Sequence, residues 1–167
     1  MRYLFLLLLI FPLAVNSQEC NILKKVDQFS QENLLSTGFM HFSGEKGEKV
    51  SLTIEADSRE IRLLFSAKGN CFNDQSKAVF VFDGSKSKST QKNTAAMNCD
   101  GIFTIVFRNT STTPFALKKI ATQKATYIEL NGSNNQKIML TLTDEQKAQL
   151  VEKANCLVEE SKSLRTS

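Results

Sequence analysis

Residues 49–67 read KVSLTIEADSREIRLLFSA, and this stretch decides the fold. In its first half Val50, Leu52, Ile54 and Ala56 alternate with Ser51, Thr53 and Glu55. That is the period of two shown by a strand with one buried and one wet face. In its second half Ile61, Leu63, Phe65 and Ala67 share a face in the same way. The intervening ADSR is short enough to join the two strands as an antiparallel hairpin.

Working outward, AVFVF (78–82) and IFTIVF (102–107) are apolar on both faces. They are expected to be central strands covered on each side. Asp83-Gly84 supplies a two-residue turn after the first of them, so that residues 85–91 return antiparallel beside it. Further on, TYIELNGSNNQKIMLTL (126–142) reads as a second hairpin, with Ile128 and Leu130 facing Ile138, Leu140 and Leu142 across a loop holding Asn131-Gly132. TPFALKKIATQ (113–123) fits a short helical turn with Leu117 and Ile120 inward. NILKKVDQF (21–29) and LLSTGFMHF (34–42) are read as strands, because Gly38 and the neighbouring β-branched and aromatic residues disfavour a long helix.

The chain closes on a helix expected at about 143–161. Thr143 and Gln146 form a capping box, and Asp144 and Glu145 sit at the positive end of the helix dipole. Leu150, Ala154, Leu157 and Val158 then make one apolar stripe. At about 100° per residue Cys156 falls off that stripe, where a segment crossing the outside of the helix would meet it. The expected fold is thus α+β and mostly β: an antiparallel sheet, meander or sandwich-like, with a C-terminal helix packed on one face.

The N-terminal MRYLFLLLLIFPLAVNS carries one Arg, an apolar run and small residues where a signal peptidase reads. Residues 1–17 are therefore read as a secretory signal and 18–167 as a single domain. The apolar run is about half of the roughly 20 residues a membrane span needs, and no later segment approaches that length. Without Arg2 the mature part has 20 Lys and Arg against 17 Asp and Glu, a net charge of +3. SKSKSTQK (85–92), with Lys86, Lys88 and Lys92, lacks the stacking aromatics of a nucleic-acid surface and reads as a solvated edge. Gln18 and Glu19 are not the small residues a lipid anchor on Cys20 requires.

All four cysteines, Cys20, Cys71, Cys99 and Cys156, follow the signal, and an even count in an oxidising compartment favours disulfides. With the strand from Ile102 running parallel to that from Ala78, one neighbour away in the same sheet, Cys71 and Cys99 stand at one end, about 10 Å apart before the loops close the gap. Cys71 is therefore paired with Cys99 and, by elimination, Cys20 with Cys156. On the chain-entropy model the first bridge is worth roughly 3 to 4 kcal/mol and the second about 5 kcal/mol. No Cys-x-x-Cys spacing or adjacent histidine supports a thiolate metal site instead.

Catalytic chemistry is thin. His41 is the one histidine and has no acid or nucleophile partner at a recognisable motif, so a structural role is expected. No Gly-x-Ser-x-Gly elbow is present, multi-histidine metal sites are excluded, and the Asp-Gly-Ser at 83–85 is too short for a calcium loop. Asp74, Asp83 and Asp100 leave carboxylate-pair hydrolysis as a remote alternative, although Asp is an ordinary turn residue. With no Trp and two Tyr, a sugar-stacking platform is not expected, and the twelve phenylalanines read as core. Asn109 and Asn131 head glycosylation sequons.

KKVDQFS (24–30), KGNCF (68–72), VFVFDGSK (79–86), NCDGIF (98–103), LKKIATQKATYIEL (117–130) and LTLTDEQKAQLVEKANCL (140–157) together span nearly the whole mature chain. In their order they resemble a set of uncharacterised exported β-rich domains of Gram-negative bacteria. The resemblance implies a periplasmic or surface-exported antiparallel β domain ending in a helix, with no catalytic residues to carry over. The expected function is a noncatalytic interaction or envelope-structural role, without cofactor or metal and without nucleic acid, its partner an unknown protein. The alternative is a carrier whose sheet curls around an apolar or lipid ligand.

Overall fold

The computed structural model describes residues 20–27, 31–84 and 88–165. The signal reading at 1–17 and Lys86 lie outside the described residues. The hairpin at the heart of the sequence is formed by β4 (Lys49–Ala56) and β5 (Glu60–Ser66), paired antiparallel from Ser51↔Ser66 to Ala56↔Ile61. Val50, Leu52, Ile54, Ala56, Ile61, Leu63 and Phe65 all point into the core, as the alternation dictates.

Around this hairpin grows the larger sheet. β1 (Leu23–Val26) pairs with β2 (Asn33–Ser36), β2 and β3 (Met40–Ser43) both pair with one edge of β4, and β8 (Ile102–Arg108) pairs with β5. The smaller sheet has the order β10-β9-β6-β7, built from β6 (Lys77–Phe82), β7 (Lys88–Lys92), β9 (Ala125–Asn131) and β10 (Lys137–Thr141). The described pairs in both sheets are antiparallel.

The two sheets bury their apolar faces against each other. Phe65 of the larger sheet meets Phe80 of the smaller at 6.4 Å between ring centroids, and Phe103 packs edge-on to Phe65 and Phe72. Along one side the sheets are stitched where Thr94 N donates to Thr104 O and Thr104 N donates to Asn93 Oδ1. On the other side Glu45 N donates to Met139 O. Asn93 is buried, and its amide also donates to the carbonyls of Asn73 and Ala95, so this crossing strands no polar group.

Among the described residues two α-helices complete the fold. α1 (Phe115–Thr122) buries Leu117, Ile120 and Ala121. α2 (Asp144–Ser161) starts at the N-cap Thr143, whose hydroxyl accepts from Gln146 N while Gln146 Oε1 accepts from Thr143 N. Its stripe of Leu150, Ala154, Leu157 and Val158 is buried, and the helix packs on α1, β2 and β4. The architecture is α+β and mostly β, two antiparallel sheets with a C-terminal helix packed against them.

The bridges join Cys71 to Cys99 and Cys20 to Cys156. The geometry of the first differs from the route by which the sequence leads to it. β6 and β8 are not neighbours but one in each sheet, and the bond links the β5–β6 loop to the β7–β8 loop beside the Phe72↔Asn98 bridge. Nor are β6 and β8 covered on both faces: Val79, Val81, Thr104 and Val106 are only half-buried and Ile102 is exposed. Their outward β-branched residues fit a pleated, partly wet surface as well as they fit a core. The turn after β6 is also longer than two residues, since Val81 pairs with Lys88.

Candidate functional site

The site follows from a defect in the larger sheet. Ser36 pairs with Glu55 and Met40 with Leu52, so four steps along β2–β3 match three along β4. The extra residue is a β-bulge, and Gly38 takes the left-handed conformation it needs, with φ +67°. A dense set of bonds fixes the bulge. Thr37 Oγ1 accepts from Ile54 N and donates to Gly38 O, while Ser36 Oγ accepts from Gly38 N and bonds Thr53 Oγ1. From outside, α2 holds the same segment: Lys153 Nζ donates to Thr37 O and Gln146 Nε2 to His41 O, each at 3.0 Å.

The consequence is that Phe39 is presented to solvent, 69 % exposed, with its ring 6.4 Å from that of His41 and tilted by only 26°. A single exposed apolar side chain is ordinary. One held outward by a clamped bulge, stacked beside the only histidine, is a built feature.

Strand alternation sets the surroundings. Because Phe42, Val50, Leu52 and Phe65 point inward, the opposite face carries a row across four strands, His41↔Ser51↔Ser66↔Ile102. One step along, Ser43 pairs with Lys49. A depression of about 420 Å³ lies here, lined by His41, Ser43, Lys49, Ser51, Ser66 and Lys68 among others, and no carboxylate lines it. Among the described residues neither Lys49 Nζ nor Lys68 Nζ has an ion pair, and the hydroxyls of Ser43, Ser51 and Ser66 bond no protein group.

Two other surfaces differ in character. A cleft of about 380 Å³ gathers Asp27, Glu32, Asp57 and Glu60, but its arginines are paired, Arg62 with Asp57 at 2.8 Å and Arg59 with Glu32 at 3.9 Å. A shallow groove of about 640 Å³ runs between α1 and α2 beside the Cys20–Cys156 bridge, with Ala121, Ala148 and Val151 on its walls.

Of the loop acids, Asp83 stands apart from Asp74. Asp74 precedes β6 and Asp83 follows it, so six residues of strand, roughly 20 Å, lie between them. Asp100 follows Cys99 in the β7–β8 loop, while Asp83 accepts from the Thr126 hydroxyl at 2.6 Å and lies 3.8 Å from Lys147 Nζ. All four cysteines are in disulfides, and among the described residues no cluster of His, Cys, Asp and Glu is arranged to hold a metal ion. Among the described residues no helix is long and apolar enough to cross a membrane.

The sequence reading misses the centre of this site. Composition groups Phe39 with the core phenylalanines, yet it and Phe115, 76 % exposed, stand in solvent. The available signal was Gly38 inside a strand pattern, which marks a bulge or a close backbone approach. No family model, no curated protein and no solved structure matches the chain.

Proposed function

We propose that the protein is an exported, noncatalytic interaction domain that meets its partner with the open face of the larger sheet. The observation that carries this reading is Phe39, held outward by a bulge that both β4 and α2 fix in place and stacked beside His41, which lines a depression holding two lysines and no acidic residue. Exposed aromatic anchors are enriched at recognition surfaces. The two disulfides fit an oxidising compartment, and a periplasmic or extracellular location agrees with the N-terminal signal and with the resemblance to exported domains. The length of β6 between Asp74 and Asp83 supports the noncatalytic reading.

The groove between α1 and α2 favours a second reading, a carrier of an apolar ligand held on the surface. It would bind between the helices, since the rings of Phe65, Phe80 and Phe103 fill the space between the sheets. Site-specific photocrosslinking in the producing cell separates the two. A crosslinker replacing Phe39 is expected to give a discrete adduct, and one at Thr122 none. Lipid adducts at position 122 with nothing at position 39 would sink the interaction face in favour of the carrier.

A further inference from the structure

The charges and hydroxyls of the depression specify more than a generic partner. We propose that it binds an acidic polysaccharide, a reading that rests on the interaction face just described. Three features select this chemistry. Lys49 and Lys68 are cations without a counter-ion among the described residues, in the lining of a site that no carboxylate lines, so an anionic ligand supplies the missing charge. Ser43, Ser51 and Ser66 offer hydroxyls, free of protein partners among the described residues, that pair with the hydroxyls of a sugar. Phe39, beyond the lining of the depression but stacked on the His41 ring that borders it, adds a flat apolar surface for the C–H face of a pyranose.

An acidic polypeptide matches the charge but not the rest. A bound peptide satisfies its backbone best by adding to a sheet edge. The depression lies on the flat side of β3, β4 and β5, whereas the edge a peptide would extend is the outer edge of β3, where His41 O already accepts from Gln146 Nε2. The depression crosses these three strands, about 10 Å or two sugar rings, a scale suited to an internal segment of a linear chain.

The test uses the exported, fully oxidised protein and three probes: polygalacturonate, neutral dextran and poly-glutamate, with affinity read by titration calorimetry at two salt concentrations. Polygalacturonate is expected to bind, more weakly at the higher salt, and dextran not at all. Lys49→Gln and Lys68→Gln should each weaken binding about tenfold, the loss expected for one charge-assisted hydrogen bond. Phe39→Ala should weaken it severalfold, and all three variants should melt at the wild-type temperature. The proposal is overturned if polygalacturonate fails to bind, or if it binds and the variants bind it equally well. It is also overturned if poly-glutamate binds at least as tightly and is lost in the same variants, although the interaction face would then stand. The adduct at position 39 tests that face independently of any polysaccharide.

Discussion

The side-chain amide of Asn109 donates to the carbonyl of Ser161 at 3.0 Å, tying the end of β8 to the last turn of α2. The same nitrogen donates to Asp57 O at 2.9 Å, and the Asn109 backbone N–H donates to Arg59 O. One residue thus joins the β4–β5 turn, the edge of the larger sheet and the terminal helix. Removing it strands the buried carbonyl of Ser161 and the half-buried one of Asp57, so Asn109→Ala should cost about 2 kcal/mol in urea unfolding. The residue also heads a sequon. With its side chain buried and both amide hydrogens engaged, the folded protein should carry no glycan there, and a glycosylated Asn109 in a peptide map would contradict the arrangement.

Gly101 has φ +81°, and a Cβ built on it would stand 2.3 Å from the carbonyl oxygen of Ala67. The Ala67 N–H donates to Gly101 O at 2.8 Å, so neither chain can withdraw without losing that bond. Gly101→Ala should therefore destabilise by more than about 2 kcal/mol, from the left-handed backbone and the contact together. A denaturant midpoint within error of the wild type would show that the loop beside Cys99 is free to shift.

Glu129 on β9 is held below the usual carboxylate range chiefly by the hydrogen bond from Lys137 Nζ, 2.8 Å away; burial opposes this, and Asn131 and the nearby positive charges add to it. Its proton affinity is lower folded than unfolded. The stabilisation it gives is therefore complete above the unfolded value, about 4.3, and disappears as pH falls through the folded one. Glu129→Gln should flatten the acid limb of a stability profile measured from pH 2 to 7. An unchanged slope below pH 4 would mean that other carboxylates carry the acid sensitivity.

Phenylalanines on opposite sides of the larger sheet should behave oppositely. Phe65 is fully buried among Phe80 and Phe103, and Phe65→Ala should cost about 3 to 5 kcal/mol. Phe39→Ala removes a solvent-facing ring and should change stability by less than about 0.5 kcal/mol. Thermal melts of the two proteins side by side check both, and a large loss in Phe39→Ala would make that residue structural.

What could be read from the sequence followed the range of the physics involved. The β4–β5 hairpin and the capping box of α2 depend on neighbours within a few residues, and local pattern carried them. Whether β6 and β8 share a sheet depends on where β5 and β9 choose to pair, which no local pattern encodes. Apolar runs such as IFTIVF look the same whether their second face is covered or half-wet. Asn109 looked like an acceptor for a glycan because its partners Asp57 and Ser161 each lie 52 positions away. The candidate site hid for a similar reason: Lys49, Ser51, Ser66 and Lys68 mean nothing together until β4 folds onto β5, and Phe39 differs from a core phenylalanine only through the bulge.

The bond between Cys20 and Cys156 closes residues 20–156 into a covalent ring, and the Cys71–Cys99 bond closes a smaller ring inside it. A protease that nicks any single loop between residues 20 and 156 opens the ring without releasing a fragment. A pull applied ahead of Cys20 and behind Cys156 runs through the sulfur–sulfur bond once the contacts of residues 157–165 yield, and residues 21–155 then carry none of it. The domain is in this sense bypassed by its own termini, so a tether at either end can bear tension without disturbing the face that carries Phe39.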